Sequence, residues 1–218
     1  MRSRIRAQNK VSPEEFRGAD KGGYQACMEN ENQLIQRAVN GDTSAFNELL
    51  GAHEKQMYVV CYRMCGNYND AQDCLHEAML RVYRALPGFK SQSSFSTWLY
   101  RITMNACLDE LRKRKNRPNA SLDGLLEEGW SPKTETEAPD EQVIRAERAK
   151  ALHTAIAELP EEMRSAIVLR DIRGFAYEEI ADMLNVNIGT VKSRISRGRE
   201  KLREKIMTNA ELFDKRGV

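Results

Sequence analysis

The chain is 218 residues long, with 34 Lys and Arg against 32 Asp and Glu, a net charge of +2 and 41% hydrophobic residues. This length suits one large domain or two small helical ones, and no apolar run approaches the roughly 20 residues that cross a bilayer. The opening MRSRIRAQNK has no apolar segment behind its positive charges, so a secretory signal is not expected; Cys27, Cys61, Cys65, Cys74 and Cys107 are odd in number and form no C-x-x-C pair, which argues for a reducing cytoplasm rather than a disulfide framework.

Residues 1–29 are polar, contain Pro13, Gly18, Gly22 and Gly23, and read as a loosely ordered N-terminal extension. Residues 30–115 carry a helical pattern throughout. Leu34, Ile35 and Ala38 precede Gly41, and Asp42 is placed to cap a run whose buried stripe is Phe46, Leu49, Leu50, Met57, Val60 and Cys61. Gly66 stops that run. Asp70 opens a helix through Leu86, with an apolar stripe of Ala71, Leu75, Ala78, Leu80 and Val82, and Pro87 and Gly88 close it. A further helix spans about 94–115. Residues 116–140 hold Pro118, Pro132, Pro139, two Gly and six acidic residues against two basic ones, the composition of a flexible acidic linker. A second helical block is expected over 141–207, with Pro160 at a first helical position and Glu161 and Glu162 in the first turn; residues 208–218 form a tail. Strand signals are almost absent. The expected fold is all-α, two small helical domains joined by the linker.

The stretch from Phe175 to Arg203 has a helix-turn-helix pattern. Ile180, Ala181 and Leu184 share one face of a first helix, Asn185 to Asn187 break the period, and Asn187 is suited to cap the next helix. There Ile188, Val191, Ile195, Leu202 and Ile206 fall on one face, while Thr190, Ser193, Arg194 and Arg197 point away, flanked by Lys192, Ser196 and Lys201. Residues 188–207 hold seven Lys or Arg against two Glu. Solvated surface helices are often basic, but a net charge of +5 in 20 residues exceeds that of the whole chain and favours a DNA-reading helix. In the first block, Asp70, Asp73, His76 and Glu77 lie on adjacent turns. His76-Glu77 lacks the second metal ligand, since Leu80 stands four residues after His76; a solvated acidic face and a docking face for a basic partner helix remain. The loop Phe89 to Ser94 leads into a helix with Phe95, Trp98 and Tyr100 that ends on Arg112, Lys113, Arg114 and Lys115. Polar loop, aromatics and positive charge together suit single-stranded DNA, although Phe95, Trp98 and Leu99 taken alone read as core. Cys61, Cys65, Cys74 and His76 are imaginable as a zinc set, but such spacing within helices is weak, and they read as inert core thiols. No metal, cofactor or catalytic set is assigned.

Three of these segments occur in a familiar order. DAQDCLHE (70–77), FSTWLYRITMNACLDELR (95–112) and LPEEMR (159–164) followed by GTVKSRISRGREKL (189–202) resemble regions 2 and 4 of the extracytoplasmic-function, or group IV, sigma factors of bacterial RNA polymerase. The resemblance covers about residues 30–207. Gln72 and His76 stand where the family more often has Glu and Gln, and Cys74 where it is usually aliphatic. The resemblance implies a non-enzymatic factor that directs promoter-specific initiation. Residues 30–115 would be region 2 and residues 141–207 region 4. Asp70, Asp73, His76 and Glu77 would dock on the clamp helices of the largest core subunit, and region 4 on the β flap. Lys90, Ser91, Gln92, Ser93 and Ser94 would capture a flipped base of the −10 element, with Asn105, Asp109 and Arg112 on the helix beside it. Thr190, Lys192, Ser193, Arg194, Ser196, Arg197 and Lys201 would read the −35 element. An anti-sigma factor would control the whole. Two rivals fit less well. A helix-turn-helix transcriptional regulator without sigma activity would need a receiver domain, and 30–115 lacks its strands. A recombinase would need a Ser, Arg and Tyr catalytic set that is not recognisable.

Overall fold

The structure, a computed structural model, describes residues 31–115 and 139–208, with 139–143 and 145 described by backbone alone. The expected N-terminal extension, most of the linker and the tail beyond Thr208 therefore lie outside the described residues, as does Cys27.

Side-chain caps fix where the helices begin. Helix α1 (31–39) ends at Gly41, whose φ of 94° suits a residue without Cβ. Asp42 then caps α2 (Thr43–Cys65): its Oδ1 accepts from the backbone of Ser44 at 2.9 Å and Ala45 at 3.1 Å. These bonds and the Arg37 guanidinium hold the Asp42 carboxyl below its usual range. Gly66, at φ 84°, terminates α2 in the left-handed region. Helix α3 (Tyr68–Ala85) starts ahead of Asp70, because Asn67 Oδ1 accepts from the Asp70 backbone at 2.9 Å and so caps the helix two residues earlier than its charge pattern suggests. A 3-10 turn at Leu86–Gly88 follows, and Ser94 Oγ caps α4 (Phe95–Lys115) by accepting from the Thr97 backbone at 3.0 Å.

The second block begins with α5 (Pro139–Ala157), so the last two residues of the expected linker, Pro139 and Asp140, are already helical. Pro at a first helical position gives up a hydrogen bond that no helix start can make. Pro160 sits just outside α6 (Glu161–Ile167), at its cap; a π-type turn at Val168–Ile172, α7 (Tyr177–Leu184) and α8 (Ile188–Thr208) complete the block. No strand occurs among the described residues.

Helices α2, α3 and α4 pack as one bundle around Leu49, Met57, Val60, Met64, Val82 and Leu99, all buried. Leu80 is not part of the buried stripe of α3. It is 37% exposed, and Cys74 takes the inward position instead. Helices α6, α7 and α8 enclose Ile167, Leu169, Ile180, Val191 and Ile195. The two bundles also touch: α4 packs on α7, and α2 on α5 and α6. Between them Tyr100 meets Phe175 edge-on at 5.3 Å, and Thr97 Oγ1 donates to Glu179 Oε1 at 2.9 Å. Arg164 donates to Met64 O at 2.5 Å, and the His153 ring stacks on Tyr62 at 4.1 Å.

Candidate nucleic-acid interface

Helix α8 is held by its apolar side and turns its basic residues outward. Val191 and Ile195 are buried, and Gly198 lets α6 approach so closely that a Cβ there would stand 2.9 Å from Ile167 Cγ1. Ile188, expected on the same face, is 38% exposed at the first turn. The turn before α8 is made by Asn185, whose φ of 52° closes α7 in the left-handed region that Asn tolerates. Asn187 Oδ1 then accepts from the Thr190 backbone at 2.7 Å, capping α8 as its sequence predicts.

The outward strip is not uniform. Lys192, Ser193, Ser196, Arg197 and Lys201 are exposed. Ser193 Oγ donates back to Thr190 O at 2.9 Å, and Thr190 Oγ1 is turned to Asn187 Oδ1 at 3.0 Å. Arg194 is only 20% exposed by side chain and pairs with Glu162 of α6 at 2.8 Å. Its guanidinium braces the helix-turn-helix from within, so of the two outward Arg the sequence singles out, Arg197 is the one displayed.

The second surface lies on the first bundle. Phe89, Phe95 and Trp98 form a ring cluster, with centroids 5.0 to 5.7 Å apart, under the loop of Lys90 to Ser94. Phe95 and Trp98 are 2% and 8% exposed, so they are core side chains that stiffen the loop from below. Lys90, Ser91 and Gln92 are exposed, and Ser91 has a φ of 52° that costs a non-glycine residue strain. Ser94 spends its hydroxyl on the α4 cap. Asn105 and Arg112 are exposed on α4, but Asp109 is bound by Arg81 at 2.7 Å and Arg112 at 3.2 Å. A cleft of about 590 Å³ is lined by Lys90, Gln92 and Ser93 of the loop, by Thr97, Trp98 and Arg101 of α4, and by Ala181, Asp182, Met183 and Asn185 to Asn187 of the helix-turn-helix. Arg101, exposed and one turn beyond Trp98, is a cleft residue the sequence reading passed over; its basic charge on an aromatic-rich helix was the available signal.

The acidic set on α3 divides likewise. Asp73 and His76 are exposed. Glu77 accepts from Arg81 at 2.7 Å, a bond that holds its carboxyl below the usual range, and Asp70 is paired with Arg114 and with the Asn67 amide at 2.8 Å. Two of the four expected docking residues are thus neutralised within the bundle.

Comparison with known proteins gives concordant matches to both bundles. The family profile described as Sigma-70 region 2 matches residues 49–117, and that described as Sigma-70, region 4 matches residues 149–202. The RNA polymerase sigma-H factor of Pseudomonas aeruginosa is 36% identical over 177 residues, covering 79% of this chain and 92% of its own. The ECF RNA polymerase sigma factor SigW of Bacillus subtilis is 36% identical over 178 residues, covering 79% and 94%. Among solved structures, the sigma factor RpoE in complex with the anti-sigma factor NepR from Bartonella quintana matches with a TM-score of 0.58 at 25% identity, over 74% of this chain and 96% of that one.

Proposed function

The chain belongs to the extracytoplasmic-function sigma factors of RNA polymerase, and on that premise we propose a division of labour among its helices. The factor binds core RNA polymerase and directs initiation to particular promoters. It works in the cytoplasm as a specificity subunit and carries out no chemistry of its own. Residues 30–115 dock on the clamp helices of the largest subunit through the acidic side of α3, with Asp73 and His76 leading and Asp70 and Glu77 behind them. The Lys90–Ser94 loop, with Asn105, Asp109 and Arg112, captures a flipped base of the −10 element. Unstacking that base costs a few kcal/mol, which the pocket and the basic end of α4 offset. Residues 141–207 seat α8 in the major groove of the −35 element. Arg197 and Ser193 face base edges, Lys192, Ser196 and Lys201 face phosphates, and Thr190 and Arg194 fix the helix. Region 4 also rests on the β flap. A sigma factor of similar fold has been solved with an anti-sigma factor, which supports control of this chain by such a partner.

One observation carries this reading above that of a simple helix-turn-helix regulator. Two surfaces suited to DNA, one for a duplex groove and one for an unpaired strand, stand on separate helical bundles of one chain; a regulator needs only the first. The docking side decides between them experimentally. Asp73 is exposed and none of the ion pairs described above involves it, so Asp73→Lys should leave helical circular dichroism unchanged. It replaces attraction to a basic clamp helix with repulsion, and co-purification with core polymerase should fall most at low salt. Unchanged retention of core would remove the docking role from this face.

A further inference from the structure

Helices α2, α3 and α4 bring three thiols to one point that promoter recognition does not use. Cys65 ends α2, Cys74 lies in the second turn of α3 and Cys107 in the middle of α4; they are 6%, 2% and 0% exposed. Their sulfurs all lie within 4.8 Å of one another, and Cys65 Sγ and Cys74 Sγ are 3.3 Å apart. Cysteines serving only as small apolar filler have no need to converge. Here thiols far apart in sequence turn their polarizable ends inward from three helices. His76, the residue that the spacing suggests as a partner, points to solvent, and Cys107 from α4 stands in its place.

The arrangement has a chemical counterpart. An ion that holds three thiolates at about 2.3 Å in a trigonal plane sets the sulfurs about 4.0 Å apart. That spacing fits inside the observed envelope and asks Cys65 and Cys74 to separate by about 0.7 Å, from 3.3 Å. The donor set is all sulfur, which selects soft cations over Mg, Ca or Mn. Tetrahedral zinc would want a fourth ligand, and Cys61, one turn earlier on α2, meets the Cys107 thiol but is not among the three that converge. The end of α2 that carries Cys65 is held in place, with Arg114, itself paired to Asp70, donating to Cys65 O at 3.4 Å and Arg164 to Met64 O at 2.5 Å. We propose that Cys65, Cys74 and Cys107 form a buried trigonal thiolate site for a soft, thiophilic monovalent cation of the Cu(I) class, tying the three helices of the first bundle together.

Binding makes three metal–sulfur bonds, releases the thiol protons to solvent and changes no oxidation state. Each of the three ligands must give up its thiol proton to bind. Affinity should therefore rise with pH. The test is an anaerobic titration of the reduced full-length chain with Cu(I) alone, against a chromogenic competitor, followed by X-ray absorption. The expected result is one equivalent bound, an ultraviolet thiolate-to-metal band, and three sulfur neighbours at about 2.3 Å. Cys74→Ala should lose the band, while Cys61→Ala, which removes an equally buried thiol from α2, and Cys27→Ser should keep it. Should Cys74→Ala fail to fold, the wild-type absorption spectrum decides. Two sulfur neighbours, nitrogen or oxygen neighbours, no tight equivalent, or a band that survives in folded Cys74→Ala would each overturn the site.

Discussion

Two arginines one turn apart on α8 look equivalent in the sequence, and their surroundings separate them. Arg194 is bound to Glu162 and mostly covered, whereas Arg197 stands exposed at the centre of the strip. A guanidinium free to bridge guanine O6 and N7 discriminates against the wrong base by about 1–3 kcal/mol. Arg197→Ala should therefore cost about that much at one −35 position and relax preference there, measured as binding of intact and point-mutant promoters by the reconstituted holoenzyme. Lys201→Ala should weaken all promoters alike and lower the salt dependence, since a phosphate contact carries no base information. Equal losses for Arg197→Ala on intact and −35-mutant promoters would deny it a base-reading role. The same logic applies on α3. Asp70 and Glu77 have the right charge for docking, but each already satisfies an arginine of its own bundle.

Helix identity was legible at the scale of whole elements, and helix boundaries less so. Asp42, Gly66 and Asn187 are caps whose chemistry acts locally, and the structure uses all three; Pro160, expected at a first helical position, stands one residue earlier, at the cap of α6. The start of α3 is ambiguous in sequence because Asn67 and Asp70 are both good N-terminal residues, and only backbone geometry shows that Asn67 accepts the bond. Leu80 and Ile188 fall on the inward side by period, which cannot tell a bundle's flank from its centre. The thiol cluster is only partly legible, since spacing groups Cys65 and Cys74 with Cys61 and His76 but not with Cys107. Its third member comes from α4, and no spacing along one helix reports a meeting of three. Gly198 belongs to this class as well, being unremarked in sequence and decisive in packing. Ala would gain about 1 kcal/mol in helix propensity, but its Cβ would press on buried Ile167, at 2.9 Å from Cγ1 and 3.3 Å from Cδ1. Overpacking costs about 1–3 kcal/mol. Gly198→Ala should thus be net destabilising by up to about 2 kcal/mol in urea unfolding, and a more stable variant would show that α6 and α8 can part without cost.

In the whole molecule, the bundle that opens DNA and the bundle that reads it are in contact, with the Lys90–Ser94 loop facing the helix-turn-helix across one cleft. Elements about 25 base pairs apart span roughly 85 Å of duplex at about 3.4 Å per pair, so the bundles must separate before both elements are held. His153 is one of the groups holding them together. Its Nε2 lies 3.1 Å from Gly66 O, a bond the neutral ring makes by donating, while buried Nδ1 has no partner among the described residues. Burial holds its pKa below the ordinary 6.5, opposed by the Gly66 carbonyl and aided by Arg63 and Arg164. A depressed folded-state pKa gives stability that is full above the unfolded value and lost as pH falls through the folded one. The contact should therefore loosen below about pH 6.5, seen as a longer distance between fluorophores on the two bundles, and His153→Gln should flatten that response. A distance that ignores pH in the wild type would remove His153 from the interface's control. All of this rests on the chain being an initiation factor, and transcription from genomic DNA by core polymerase with and without the purified chain tests it most directly. Discrete start sites should appear only with the chain and share one −35 and one −10 sequence. Transcripts identical to those of core polymerase alone would contradict it.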